Sequence, residues 1–142
     1  MIDPRVEQIA LKTRTWAEKK ANYGLFCRDL TGFCARGAAE LHIRLRRARF
    51  ASQIGVFDPR VYEDSQAFGG HAFVMVQEHV VDITATQFGL KPVEIVPFGP
   101  SRRDREFWHA TFSFERLKDF INHIQEWPHY QRPKHRKIPE FA

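Results

Sequence analysis

Three residues of this chain are of the types that together can attack an amide or acyl carbon: Cys34, His71 and Asp82. A thiol is a useful nucleophile only as thiolate, and the start of a helix favours that negative charge through its unpaired N–H groups and dipole. Cys34 follows Thr31-Gly32-Phe33, where a helix is expected to open, and its own N–H can face a developing oxyanion. An imidazole must then come from elsewhere in the chain, with a partner on its second nitrogen to fix its tautomer. His71 and Asp82 are the candidates for base and orienting group. A lone Cys is more often a small buried hydrophobe, and a single His or Asp more often structural. It is the joint pattern that points to catalysis. Cys27, seven residues earlier in a loop, is the competing thiol but has no comparable helix start.

The elements that must position these residues can be read from periodicity. Asp3 before Pro4 caps a helix over about 4–20, with Val6, Ile9, Thr13 and Trp16 on one face. A second helix is expected from Cys34 to about Arg49, with the small-residue face Ala35, Ala38, Ala39, Leu41 and Leu45 suited to close packing on a sheet. The cations Arg44, Arg46, Arg47 and Arg49 at its end complement the helix dipole. Ile54, Val56 and Phe57 suggest a strand. Segments 71–77 and 80–84 read as a hairpin, followed by a strand over 93–98, a short strand over 107–112 and a helix over 114–127. In a two-residue hairpin, positions an odd interval apart, as His71 and Asp82 are, project from the same face. A turn at Gln77-Glu78 sets Phe73 opposite Asp82 with His71 diagonal to it, whereas a turn at Glu78-His79 moves the pair apart.

At 142 residues, with 43% apolar and 27% charged residues and thirteen Phe, the composition is that of one globular domain. The expected organisation is a single domain over 1–127 and a basic C-terminal tail over 128–142. No run approaches the roughly 20 apolar residues that span a bilayer, and no signal peptide is evident, so a cytoplasmic location without membrane contact is expected. Two cysteines exclude a disulfide scaffold. There is no His-Glu-x-x-His and no Cys pair at zinc-ligand spacing, so neither metal nor cofactor is expected. His123, His129 and His135 read as solvated. The net charge of +5 and the clusters Arg44–Arg49, Arg102-Arg103-x-Arg105 and 132–137 leave a nucleic-acid-binding module, with Trp127 and Tyr130 for stacking, as the competing class. Acidic residues interleave most of these clusters, and no recognition motif accompanies them.

The stretches Gly-Phe-Cys34-Ala-Arg-Gly-Ala-Ala-Glu-Leu41, Gly70-His71-Ala-Phe-Val and Val81-Asp82-Ile-Thr-Ala-Thr-Gln87-Phe88 resemble the papain-like and transglutaminase-like cysteine enzymes. The resemblance covers residues 24 to 98 and matches Cys34, His71 and Asp82 to nucleophile, base and orienting acid. It implies an α+β fold with a papain-like core: N-terminal helices, including the Cys-bearing one, on an antiparallel sheet of about four strands, and a C-terminal helix. It also implies cysteine chemistry on protein or peptide amides: glutamine deamidation, transamidation or peptide hydrolysis. Bacterial effector deamidases and phage-encoded proteins are similar at this level, so delivery as an effector without a cleavable signal belongs to the expectation. Gln87 is the candidate for orienting substrate, with a purely structural hydrogen bond as an equal alternative. Asn22 is the only amide upstream of Cys34 within reach in sequence, which leaves the side-chain donor of the oxyanion site open. A non-catalytic interaction module on the same fold is the remaining alternative.

Overall fold

The computed structural model describes residues 1–21, 30, 32–58, 70–98, 106–125 and 127. Among them the chain forms three α-helices and one five-stranded antiparallel sheet, an α+β architecture. Helix α1 (Pro4–Lys20) opens as its capping residues require: the Asp3 carboxylate accepts the Arg5 N–H at 2.9 Å and Pro4 occupies the first helical position. Its inward face is Val6, Ala10, Thr13, Arg14 and Ala17, while Ile9 and Trp16 are half-buried at its margin. Helix α2 (Cys34–Arg47) is buried on nearly every side over its first ten residues, since α1 lies on it and the sheet lies beneath it. It ends two residues earlier than its cationic run suggests. Arg49 takes φ 69°, and Phe50 N–H and Arg49 N–H return to the carbonyls of Leu45 and Arg46, both at 2.9 Å. This is a Schellman ending, with arginine where glycine is usual.

The strands are β1 (Gln53–Phe57), β2 (His71–Val76), β3 (His79–Asp82), β4 (Glu94–Pro97) and β5 (Phe112–Phe114), in spatial order β4-β3-β2-β1-β5. The β2–β3 turn is Gln77-Glu78, and both residues adopt positive φ, 50° and 61°, as the mirror-image type I′ turn demands. Val74 therefore pairs with Val81 and Val76 with His79, a register that carries on to set Phe73 opposite Asp82 and His71 diagonal to it. The Asp3 N–H donates to Gln77 Oε1 at 2.7 Å, so the same turn is tied to the start of α1.

Alternation along β2 divides the molecule into two apolar layers. Ala72, Val74 and Val76 face the main core beneath α2. His71, Phe73 and Met75 alternate to the opposite face, where Phe73 and Met75 join Val80, Ala85 and Trp108 in a second, smaller cluster.

The C-terminal third corrects the sequence expectation. The sheet has five strands rather than about four, and residues Glu106–Trp108 form a 3-10 turn where a strand was expected. The fifth strand lies further on because Phe112–Phe114 pairs with Val56–Ile54 of β1. Helix α3 is consequently short, Leu117–His123 rather than 114–127. Trp127 leaves the helical path and packs on Gly70, where a Cβ would stand 2.7 Å from the indole ring. No helix among the described residues is long and apolar enough to cross a membrane. The tail 128–142 and the cluster 102–105 lie outside the described residues.

Candidate active site at the end of the sheet

Cys34 is the first residue of α2, and its free thiol is buried. What brings it to the sheet is Gly37, one turn along. A Cβ there would lie 3.2 Å from Thr84 Cγ2 and 3.4 Å from Ile83 Cδ1, so the helix start runs hard against the segment just beyond β3. His71 begins β2 and Asp82 ends β3, so both stand at that same end of the sheet. The thiol thus meets the imidazole around the end of the sheet, although α2 and the His71 side chain belong to opposite faces.

The imidazole is held between two partners. His71 Nε2 donates to Asp82 Oδ2 at 2.7 Å, and the Cys34 side chain hydrogen-bonds to the ring, which leaves Nδ1 as the nitrogen facing sulfur. Asp82 is in turn saturated. Oδ2 also accepts the indole N–H of Trp108 at 2.8 Å, while Oδ1 accepts the Thr84 N–H at 2.8 Å and the Thr84 hydroxyl at 3.3 Å. Burial raises the pKa of Asp82, but the His71 charge and the hydrogen bonds from His71, Trp108 and Thr84 lower it further than burial raises it. Burial alone would lower His71. The Asp82 charge and hydrogen bond, followed by the Cys34 contacts, more than reverse this and push it up to about 10. At neutral pH the pair is imidazolium and carboxylate, with the positive ring against the thiol.

The surroundings are apolar. Phe88 and Phe107 meet the imidazole edge-on at centroid distances of 4.8 and 5.8 Å, Phe73 lies stacked at 6.0 Å, and Phe88 stacks on Phe107 at 3.9 Å. In such a dry pocket the charges of the pair act on each other with little screening. Gln87, in the 3-10 turn Ala85–Phe88, donates from Nε2 to the Thr84 carbonyl at 3.0 Å, and the same nitrogen is 3.5 Å from His71 Nδ1. Arg14 of α1 braces this turn, its Nη1 donating to the Ile83 carbonyl at 2.8 Å and to Thr86 Oγ1 at 2.9 Å.

All four residues expected at the site, Cys34, His71, Asp82 and Gln87, therefore meet in one place. Trp108 and Arg14 escape sequence reading. Trp108 is 26 residues from Asp82 with no motif to link them, and Arg14 reads as one more cation on an amphipathic helix. Cys27 and Asn22 lie outside the described residues. His79 is turned away, donating from Nδ1 to the Gln77 carbonyl at 2.7 Å. His123 is not the solvated residue expected from sequence. It donates to buried Asp58 at 3.1 Å and packs on Phe112 and Phe114, because the displaced β5 brings those rings beside α3. Among the described residues no group of three or more His, Cys, Asp or Glu side chains is arranged so that it could hold a metal ion.

Trp108→Phe removes one donor from a buried carboxylate oxygen while retaining most of the ring. The expected cost is about 1–3 kcal/mol of stability at neutral pH. Urea unfolding should show this deficit shrinking on acidification, as Asp82 protonates and its oxygens need fewer donors; a deficit independent of pH would mean that the indole acts through packing alone. Comparison with family models, curated proteins and solved structures finds no match to this chain, so the functional reading rests on the geometry of the site itself.

Proposed function

We propose that this protein is a cysteine-dependent amide hydrolase or acyl transferase acting on protein or peptide amides. The observation that carries the reading is one imidazole with a carboxylate on Nε2 and a helix-initiating thiol on the other side. Each part has a role that the surroundings support. Sulfur as thiolate, beside the imidazolium and the first N–H groups of α2, attacks the carbonyl carbon. His71 gives its Nδ1 proton to the departing nitrogen, leaving a thioester on Cys34. Neutral His71 then takes a proton from water, or from an acceptor amine, which attacks the thioester and returns the thiol. Asp82, held by Trp108 and Thr84, keeps the ring in the tautomer that these transfers need. None of these steps calls on a metal or cofactor.

Intact-mass analysis of candidate substrate proteins separates the three outcomes. Amide-to-acid conversion adds the small increment of deamidation, an added amine appears as its own mass, and peptide hydrolysis cuts the chain. Wild-type protein and Cys34→Ala giving identical spectra across a broad substrate panel with amine present would sink the proposal.

A further inference from the structure

Attack on a carbonyl places a negative charge on oxygen, and the Cys34 N–H supplies only one donor for it. The geometry points to Gln87 for the second. Its Nε2 carries two hydrogens, and the Thr84 carbonyl at 3.0 Å, which can only accept, fixes that nitrogen rather than Oε1 toward the imidazole. The same nitrogen lies 3.3 Å from Thr84 Oγ1 and 3.5 Å from His71 Nδ1, and Nδ1 is the ring nitrogen that faces sulfur. With Nδ1 protonated, as in the imidazolium form at neutral pH, two N–H donors face each other across this gap. An anionic atom seated near both satisfies them, and so places the oxyanion beside the sulfur. The support is rigid, since Thr84 also donates twice to Asp82 and Arg14 holds Thr86. Gln87 is half-buried, whereas Cys34 and His71 are fully buried.

We propose that Gln87 is a catalytic residue, hydrogen-bonding the oxyanion together with the Cys34 backbone N–H; the inference rests on the triad reading above. As the C–S bond forms, the carbonyl π pair moves onto oxygen and is held by these two donors. As it returns, the C–N bond breaks and the departing nitrogen takes the Nδ1 proton. This donor lies after the acid in sequence, on the turn beyond β3, rather than before the nucleophile.

Two reagents on the same sulfur test it. p-Nitrophenyl acetate acylates Cys34 through an oxyanion, whereas iodoacetamide alkylates it by displacing iodide from a saturated carbon and forms none. Gln87→Ala should slow p-nitrophenolate release by about 10²–10³-fold and leave the iodoacetamide rate at its wild-type level. Gln87→Met, which fills the same space without a donor, should give the same split and guards against a folding defect in the alanine variant. Equal slowing of both reactions would assign Gln87 to holding the Thr84–His71 frame and overturn the proposal, as would no slowing of either. Failure of the triad reading would show elsewhere, in wild-type Cys34 being alkylated no faster than Cys34 of His71→Ala.

Discussion

On the proposed mechanism, Cys34→Ala and His71→Ala should each lower turnover by about 10⁶-fold, and the double variant should fall no further, because nucleophile and base would act as one unit. The geometry gives the reason. The imidazole has one nitrogen for sulfur and one for Asp82, so no second base is in place when either member is removed. Asp82→Asn should cost less, about 10⁴-fold, through loss of orientation and of charge rather than of the nucleophile. Its cost follows from the four donors around the carboxylate. An asparagine oxygen can satisfy His71 and Trp108 only by turning its NH₂ toward the Thr84 N–H, and the reverse orientation sets NH₂ against the indole and imidazole. Either way a donor faces a donor, and the ring loses the charge that keeps it protonated. Turnover of whichever amide the mass screen identifies, measured beside iodoacetamide labelling of Cys34, checks the series. A His71→Ala variant retaining more activity than Asp82→Asn would exclude His71 as the base.

Much of this site is legible in the sequence because it is built from local rules. Asp3-Pro4 and the apolar spacing after it place α1, and Cys34 stands at the first position of α2 as the sequence leads one to expect. The His71–Asp82 pair needs only the two-residue turn, and the choice between Gln77-Glu78 and Glu78-His79 was open because neither pair contains the glycine or asparagine that marks a type I′ turn. What was not legible depends on long-range pairing. Strand β5 exists because Phe112–Phe114 finds the free edge of β1, more than fifty residues earlier, and that pairing sets the length of α3 and the place of His123. Trp108 reaches Asp82 only through the second apolar layer, on a face of the sheet that no single segment specifies. Arg14 and His42 belong to the same class, since their partners, Thr86 and Ile83 for one and Glu115 for the other, come from distant segments.

Stability should peak near pH 6.5 and fall by several kcal/mol on both sides, with a different histidine responsible for each limb. His42 is buried in α2, its Nε2 donating to the Glu115 carbonyl at 2.8 Å and its Nδ1 accepting from the Ser52 hydroxyl at 2.8 Å. Both nitrogens are committed to the neutral ring. Burial, which outweighs the Glu115 hydrogen bond, together with nearby Arg46 lowers its pKa to about 4. Between pH 6.5 and 4 the unfolded chain therefore binds a proton that the native His42 refuses, and stability falls by up to about 1.4 kcal/mol for each pH unit of acidification. Below that window Asp82 adds to the loss as its lowered pKa is reached. His71 works in the opposite direction. Its folded pKa of about 10 lies above the unfolded value, so the native state holds the extra proton between pH 6.5 and 10, and stability is lost as pH rises through that range. Urea midpoints measured from pH 4.5 to 9.5 should trace this dome. His42→Gln should flatten the acid limb and leave the alkaline one, and His71→Gln should do the reverse. An acid limb unchanged in His42→Gln would show that the buried ring accepts its proton without leaving the Glu115–Ser52 bridge, and the assignment of that limb to His42 would fall.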